Sequence, residues 1–146
     1  MIKGLHHVGM ATGDLDRLVA FYTERFFADY LHEFSWGEDA AEMSARLGLE
    51  RSSGRLVFLG LAGAGLEIFQ FDFPDVATTC QLRSVAKPGF SHICLEVDDC
   101  AAEYNRLTEA GMVFHGPPLT MPVGGIFTYG RDPDGNVVEL LQRPPA

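Results

Sequence analysis

The feature that most constrains the fold is an internal repeat that appears in two registers. Three residues recur with a shift of 85 positions: Gly4, His7 and Asp14 match Gly89, His92 and Asp99. A segment near the end of each half recurs with a shift of 72 positions: Leu66-Glu67-Ile68 matches Val138-Glu139-Leu140. Because a repeat of this kind is built from one supersecondary unit, the sequence predicts two copies of one module.

Each half has the predicted order β-α-β-β-β, and Asp14 and either Asp98 or Asp99 are suited to cap the two helices. In the first half, strands are predicted at 4–12, 31–36, 55–61 and 66–72, with a helix at 15–27 and a helical insertion at 38–47. In the second half, strands are predicted at 89–97, 112–115, 126–131 and 136–142, with a helix from about 100 to 110. We therefore predict an α+β fold in one domain over 1–146, with module 1 at about 1–73, a linker at 74–88 and module 2 at about 89–143.

The last predicted strand carries one charged residue among apolar ones. Asp132-Pro-Asp-Gly135 is typical of a tight turn in which Gly135 takes a positive φ. Glu139 then follows Val137 and Val138 in a run that is apolar enough to be covered on both faces. A carboxylate placed there needs a cation, a metal or several hydrogen bonds. The alternative is an edge strand with Glu139 facing water.

Composition narrows the class of protein. The chain has 146 residues, 47% of them hydrophobic and 11% aromatic, as is typical of a globular domain with its own core. Its net charge of −9 disfavours nucleic acid and anionic membranes as partners. No apolar run is long enough to span a bilayer and no signal-peptide pattern begins the chain, so a cytoplasmic location is expected. Cys80, Cys94 and Cys100 form no CxxC pair and are expected to be reduced thiols.

The repeated residues together suit a metal. If the two modules meet about a pseudo-twofold axis, they bring two imidazoles and two carboxylates into one cavity, from His7, Glu67, His92 and Glu139. Nitrogen and oxygen donors of this kind bind divalent first-row metals such as nickel, zinc, cobalt, manganese or iron. Taken singly, a histidine on a strand is more often a core residue, and Glu67 could pair with an arginine. His6 is expected to face away from His7 and to be a structural or surface residue.

The chain resembles the vicinal oxygen chelate superfamily, which holds glyoxalase I, methylmalonyl-CoA epimerase, extradiol dioxygenases and antibiotic-resistance proteins. The segments that carry the resemblance are 5–16 with Phe21-Tyr22, Leu66-Glu-Ile-Phe69, Gly89-Phe-Ser-His-Ile93 and 131–140. The resemblance implies two βαβββ modules that form a U-shaped mixed sheet around a metal cavity. It also implies that His7, Glu67, His92 and Glu139 are the metal ligands, a set most similar to that of glyoxalase I.

The implied reaction is abstraction of a proton α to a carbonyl, with a metal-stabilised enediolate and a small-molecule substrate. Glu139 or Glu67 is the implied catalytic base, and the resemblance favours Glu139. Tyr129 is a candidate for orienting the substrate and is otherwise a core residue, while Arg131, with Arg17 and Arg25, is a weaker substrate-binding candidate. Because members of this superfamily commonly pair, a homodimer is expected.

Two other functions remain open at this stage. The first is an Fe(II)-dependent extradiol-type dioxygenase, which uses two histidines and one glutamate and would be crowded by a fourth ligand at Glu67. The second is a non-catalytic protein that binds a small molecule, as bleomycin-resistance proteins do; such members often lack the ligands that are present here. The insertion at 37–54 is interpreted as a surface helix or dimer contact, or alternatively as a lid over an apolar substrate.

Overall fold

The structure is a computed structural model and describes residues 1–75, 82 and 84–145. Contacts within the chain divide it into two compact units, Met1–Thr79 and Cys80–Ala146. The predicted linker at 74–88 lies partly outside the described residues, and so does Cys80. In the part of the chain that the structure describes, no helix is long and apolar enough to cross a membrane.

The first unit contains one four-stranded mixed sheet. Its elements are β1 (His7–Ala11), α1 (Leu15–Phe26), β2 (Asp29–Trp36), α2 (Ala41–Arg46), β3 (Ser53–Leu61) and β4 (Ala64–Phe73). The strands are arranged in the order β1-β4-β3-β2, and only β1 and β4 run parallel. The central position of β4 places Glu67 between β1 and β3.

Helix α1 begins and packs as its sequence predicts. The Asp14 side chain accepts a hydrogen bond from the Arg17 backbone N–H, which satisfies one of the free donors of the first turn. Leu15, Leu18 and Tyr22 recur at helical spacing and are fully buried. The helix packs against β3 and β4. Each of these large apolar side chains contributes roughly 1.5–3 kcal/mol by leaving water.

The insertion between β2 and β3 is held in place by hydrogen bonds between polar side chains. The Trp36 indole N–H donates to Ser52 Oγ over 3.0 Å, and Ser44 Oγ lies 2.9 Å from the same oxygen. All three residues are buried, with Ser44 placed on α2. These contacts hold α2 against the ends of the flanking strands, and the role of the insertion stays a prediction.

The second unit repeats the arrangement with one more short strand. Its elements are β5 (His92–Glu96), α3 (Cys100–Glu109), β6 (Val113–Phe114), β7 (Leu119–Thr120), β8 (Ile126–Arg131) and β9 (Val137–Gln142). The sheet runs β5-β9-β8-β6, with β7 also paired to β8, and β5 and β9 run parallel. Strand β7 was not predicted. Because β9 lies between β5 and β8, the interpretation of the last strand as an edge strand is wrong.

A repeated glutamine forms a hydrogen bond that joins α1 and α3 to the last strand of their own units. Gln70 Oε1 accepts the Leu15 backbone N–H over 2.9 Å, and Gln142 Oε1 accepts the Cys100 backbone N–H over 3.0 Å. Each glutamine lies three residues after the glutamate of its strand, so the two side chains point to opposite faces. One face of the strand therefore holds the helix, and the other carries the carboxylate.

Candidate functional site

The first unit brings His7 and Glu67 together on one face of its sheet. In the parallel pairing of β1 and β4, His7 lies opposite Gly65 and Gly9 lies opposite Glu67. His7 Nε2 is 3.3 Å from Glu67 Oε2, and the two side chains are 38% and 24% exposed. The pairing register therefore places an imidazole and a carboxylate side by side at a partly open surface.

The second unit repeats this geometry. His92 lies opposite Val137 in the parallel pairing of β5 and β9, two residues before the glutamate of that strand. His92 Nε2 is 3.0 Å from Glu139 Oε2, and the side chains are 32% and 13% exposed. The structure thus brings together each predicted His–Glu pair within its own unit.

The other ring nitrogen of each histidine contacts the preceding residue. His7 Nδ1 is 2.8 Å from His6 Nδ1, and His92 Nδ1 is 2.8 Å from Ser91 Oγ. When Nδ1 carries the proton and donates it to this neighbour, Nε2 keeps its lone pair for a metal. The expectation that His6 faces away from His7 is wrong, because β1 begins only at His7 and strand alternation does not extend to His6.

Glu139 lies between two side chains that can donate hydrogen bonds. In the register of the second sheet, Cys94 on β5 and Tyr129 on β8 are its cross-strand neighbours, so all three side chains share one face. Desolvation and the negative charge and hydrogen bonding of Glu139 raise the pKa of the Cys94 thiol to about 11. Desolvation, together with the charge and hydrogen bonding of Glu139, also raises the pKa of the Tyr129 phenol. The Tyr129 ring packs edge-on to His92, with centroids 5.3 Å apart.

Glu67 has apolar neighbours at the equivalent places. Gly9 on β1 and Phe58 on β3 lie opposite it in the register of the first sheet. The Phe58 ring packs edge-on to His7 at 5.4 Å and stacks on His32 at 5.2 Å. The repeat therefore conserves the His–Glu pair between the units, while the groups around each carboxylate differ.

The raised pKa of Cys94 gives a testable prediction about its neighbour. Because the thiolate is the reactive form, Cys94 in the metal-free protein is expected to react slowly with iodoacetamide at pH 8. Glu139→Gln removes one cause of the raised pKa and is expected to accelerate alkylation several-fold. The rate is measured by mass spectrometry of the peptide that contains Cys94, with Glu109→Gln as the control. Equal rates in the two variants would contradict an action of Glu139 on the thiol.

The three arginines predicted as candidates for substrate binding each contact a residue that is close in the sequence. Arg131 donates to the Gly135 carbonyl in the turn between β8 and β9. Arg17 lies 4.0 Å from Asp14, and Arg25 lies 3.6 Å from Glu24. A role for Arg131 in binding substrate stays a prediction.

Each His–Glu pair has the donor types and the spacing that a divalent metal requires. Two ligand atoms 2.0–2.2 Å from one ion at tetrahedral or octahedral angles lie roughly 2.8–3.6 Å apart. The observed separations of 3.3 and 3.0 Å fall within this range. Among the described residues, the His, Cys, Asp and Glu side chains form no group of three or more arranged as a metal site. The residues of each pair therefore fit two positions in the coordination of an ion.

Comparisons with known proteins agree on one family. The family model described as the Glyoxalase/Bleomycin resistance protein/Dioxygenase superfamily matches residues 4–140. A lactoylglutathione lyase of Arabidopsis thaliana is 27% identical over 95% of this chain, which spans 44% of that protein. The mitochondrial methylmalonyl-CoA epimerase of Mus musculus is 26% identical over 94% of this chain and 72% of its own length. The chain thus spans less than half the length of the plant relative.

A solved structure confirms the predicted fold class. The crystal structure of a glyoxalase family protein from Bacillus cereus is similar with a TM-score of 0.84, covering 99% of this chain and 97% of that one. The two sequences are 18% identical, so this likeness concerns the fold. It agrees with the α+β architecture of mixed sheets described above.

Proposed function

Because this chain belongs to the Glyoxalase/Bleomycin resistance protein/Dioxygenase superfamily, we propose that it is a metal-dependent lyase or isomerase of the glyoxalase or epimerase type. The observation that carries the proposal is the repeated pair, His7 with Glu67 and His92 with Glu139, each with its imidazole beside its carboxylate. We propose that these two pairs supply the ligands of a divalent ion. Nickel, zinc, cobalt, manganese and iron all accept such nitrogen and oxygen donors.

The proposed reaction begins with removal of a proton from a carbon next to a carbonyl. When bound, the ion supplies Lewis-acid stabilisation of the negative charge that develops on the carbonyl oxygen. The imidazoles of His7 and His92 hold the ion through Nε2, because Nδ1 of each is engaged by the preceding side chain. Glu67 or Glu139 takes the proton. Return of the proton by the same carboxyl group to the adjacent carbon gives an isomerase, whereas an epimerase requires a second acid that delivers a proton to the opposite face of the first carbon.

The relatives suggest the first substrates to try. Lactoylglutathione and methylmalonyl-CoA, after which two relatives are named, are both thioesters with a hydrogen on the carbon beside the carbonyl. We propose a small substrate with this arrangement. Incorporation of deuterium at that carbon in D₂O, followed by NMR with each added metal, measures proton abstraction without requiring a complete turnover.

The first test of the proposal is the metal content of the protein. Protein purified without a metal-affinity tag is expected to contain close to one equivalent of a divalent transition metal per chain, measured by plasma mass spectrometry. The double variant Glu67→Ala, Glu139→Ala is expected to lose this metal, because each change removes one of the charged oxygen ligands. Circular dichroism of both proteins verifies that the variant remains folded.

A matched control distinguishes binding at a specific metal site from nonspecific binding to a negatively charged protein. Glu42 on α2 and Glu103 on α3 pair with Arg46 and Arg106 on the same helices, so Glu42→Ala, Glu103→Ala removes the same charge away from both histidines. This control is expected to keep its metal. Parent protein that contains no metal, and that takes none up on titration with nickel, cobalt, zinc, manganese or iron, would overturn the proposal. Iron together with oxygen-dependent cleavage of a catechol would favour the dioxygenase instead.

A further inference from the structure

The face of the first sheet that carries His7 and Glu67 continues as a surface of aromatic rings. In the register of β4, β3 and β2, this face has three rows of cross-strand neighbours. The first row contains Glu67, Phe58 and His32, the second contains Phe69, Leu56 and Phe34, and the third contains Phe71, Gly54 and Trp36. Neighbouring rows are two residues apart, which is about 7 Å along a strand. The aromatic surface therefore lies directly beside the carboxylate.

The rings of this surface are held in place by one another. The Trp36 ring packs edge-on to Phe69 and Phe71, with centroids 6.2 and 5.7 Å away. It is nearly parallel to the Phe34 ring at 6.3 Å, and its indole N–H is fixed by Ser52. Trp36 is 6% exposed, whereas Phe34 is 50% exposed. The surface is therefore an ordered floor of rings that is open to solvent at Phe34.

The shared module does not require aromatic rings at these positions. The apolar core of the first unit lies on the other face of the sheet, beneath α1. With the repeat shift of 72 positions, the equivalents of Phe69 and Phe71 in the second unit are Leu141 and Arg143. The second unit forms its own sheet without rings at these two places. The aromatic surface is thus a feature of the first unit that the common architecture does not explain.

The aromatic surface carries few charges. Among the nine positions of the three rows, Glu67 and His32 have the titratable side chains, and none is a lysine or an arginine. A phosphate or carboxylate group would therefore find no lysine or arginine in these rows to bind it. A neutral ring would find several partners, because stacked and edge-to-face pairs of rings are stabilised beyond the burial of their area.

We propose that the substrate carries an uncharged aromatic ring close to its reacting carbon, and that Phe34 and Phe69 bind this ring beside His7 and Glu67. This inference rests on the proposed function, because it names the substrate class of the same site. Phe34 is the specificity-determining residue of the surface. Its exposed ring is the one from which a substrate ring displaces the most water.

The test is a titration of the metal-stripped protein with three neutral amides, followed by the fluorescence of Trp36, the single tryptophan of the chain. Mandelamide carries a phenyl ring on the carbon beside the carbonyl, hexahydromandelamide carries a cyclohexyl ring there, and lactamide carries a methyl group. Mandelamide is expected to bind about 3–10-fold more tightly than hexahydromandelamide. It is expected to bind at least about tenfold more tightly than lactamide. Saturation-transfer NMR identifies the ligand protons that contact the protein.

Variants of one exposed phenylalanine locate the binding surface. Phe34→Ala is expected to weaken mandelamide binding by about 3–10-fold. Phe34→Leu keeps an apolar side chain and is expected to reduce the preference for mandelamide over hexahydromandelamide. As the matched control, Phe27→Ala makes the same change at a phenylalanine that follows α1 and is 72% exposed, and it is expected to keep the affinities of the parent. Urea unfolding verifies that each variant is folded.

The outcomes separate this inference from the proposed function. Equal affinities for mandelamide and hexahydromandelamide, or no binding of either, overturn the aromatic substrate class. Equal mandelamide affinities in the parent and Phe34→Ala overturn the place of the ring on this surface. A dimer that excludes mandelamide and dissociates in Phe34→Ala overturns the inference and assigns the surface to a second copy of the chain. Protein that takes up no metal but keeps the preference for mandelamide overturns the metal-dependent reaction and leaves the aromatic binding surface.

Discussion

Gly65→Ala is expected to displace His7, the first of the proposed metal ligands, and to destabilise the first unit by about 1–3 kcal/mol, the usual effect of overfilling a packed site. A methyl group at Gly65 would lie 2.5 Å from the tip of the Phe58 ring and 2.9 Å from the Cβ of His7. Neither atom has an easy way to retreat, because the ring is buried and the Cβ is fixed by β1. We expect His7 to turn away from Glu67 and metal affinity to fall by about 10–100-fold.

The cross-strand partner of Gly65 provides the control for this prediction. Gly60 lies opposite Gly65 on β3, and a methyl group there would meet Leu31 and Asp29 no closer than 3.5 Å. Gly60→Ala is therefore expected to leave metal affinity unchanged. Trp36 is the single tryptophan of the chain and lies in the first unit, so its fluorescence during urea unfolding reports the stability of that unit. Equal affinity and stability in both variants would contradict the prediction.

The repeat made much of each unit predictable from local rules. Asp14 caps α1 and Asp99 caps α3, as expected of aspartates that precede apolar residues at helical spacing. Gly135 takes a φ of 81° in the turn before β9, as the Asp-Pro-Asp-Gly sequence predicts. Each feature depends on residues a few positions apart. The boundaries of strands depend on pairing with residues far away in the sequence and are harder to predict. Strand β1, for example, begins at His7 rather than at Gly4.

The surroundings of the two carboxylates depend on strand register, which local sequence does not determine. Cys94 and Tyr129 meet Glu139 only because β5 and β8 flank β9 at one register. The sequence alone left Tyr129 as either a substrate contact or a core residue. The sequence contains one further sign of the repeat, because Gln70 and Gln142 recur with the same shift of 72 positions as the two glutamates. Their shared role in holding the helices explains the recurrence.

Asp132→Ala is expected to destabilise the second unit by about 2–4 kcal/mol, because it removes a buried carboxylate that accepts three hydrogen bonds in one turn. Asp132 is 5% exposed. Its Oδ1 accepts the backbone N–H groups of Asp134 and Asn136 over 3.0 and 2.8 Å, and its Oδ2 accepts from Asn136 Nδ2 over 2.9 Å. These bonds shape the turn that leads into β9. Without them, we expect the start of β9 to loosen and Glu139 to lose its alignment with His92.

Asp132→Asn distinguishes the shape of this turn from its hydrogen bonds. The amide oxygen of an asparagine can still accept both backbone N–H groups, and rotation of the Asn136 amide lets its oxygen accept from the new NH₂ group. We therefore expect Asp132→Asn to cost about 1 kcal/mol and to keep most of the metal affinity, in contrast to Asp132→Ala. Hydrogen exchange of the β9 amides, measured by mass spectrometry, follows the strand directly. If Asp132→Ala leaves this exchange unchanged, the turn does not hold β9, and the position of Glu139 must depend on its strand neighbours alone.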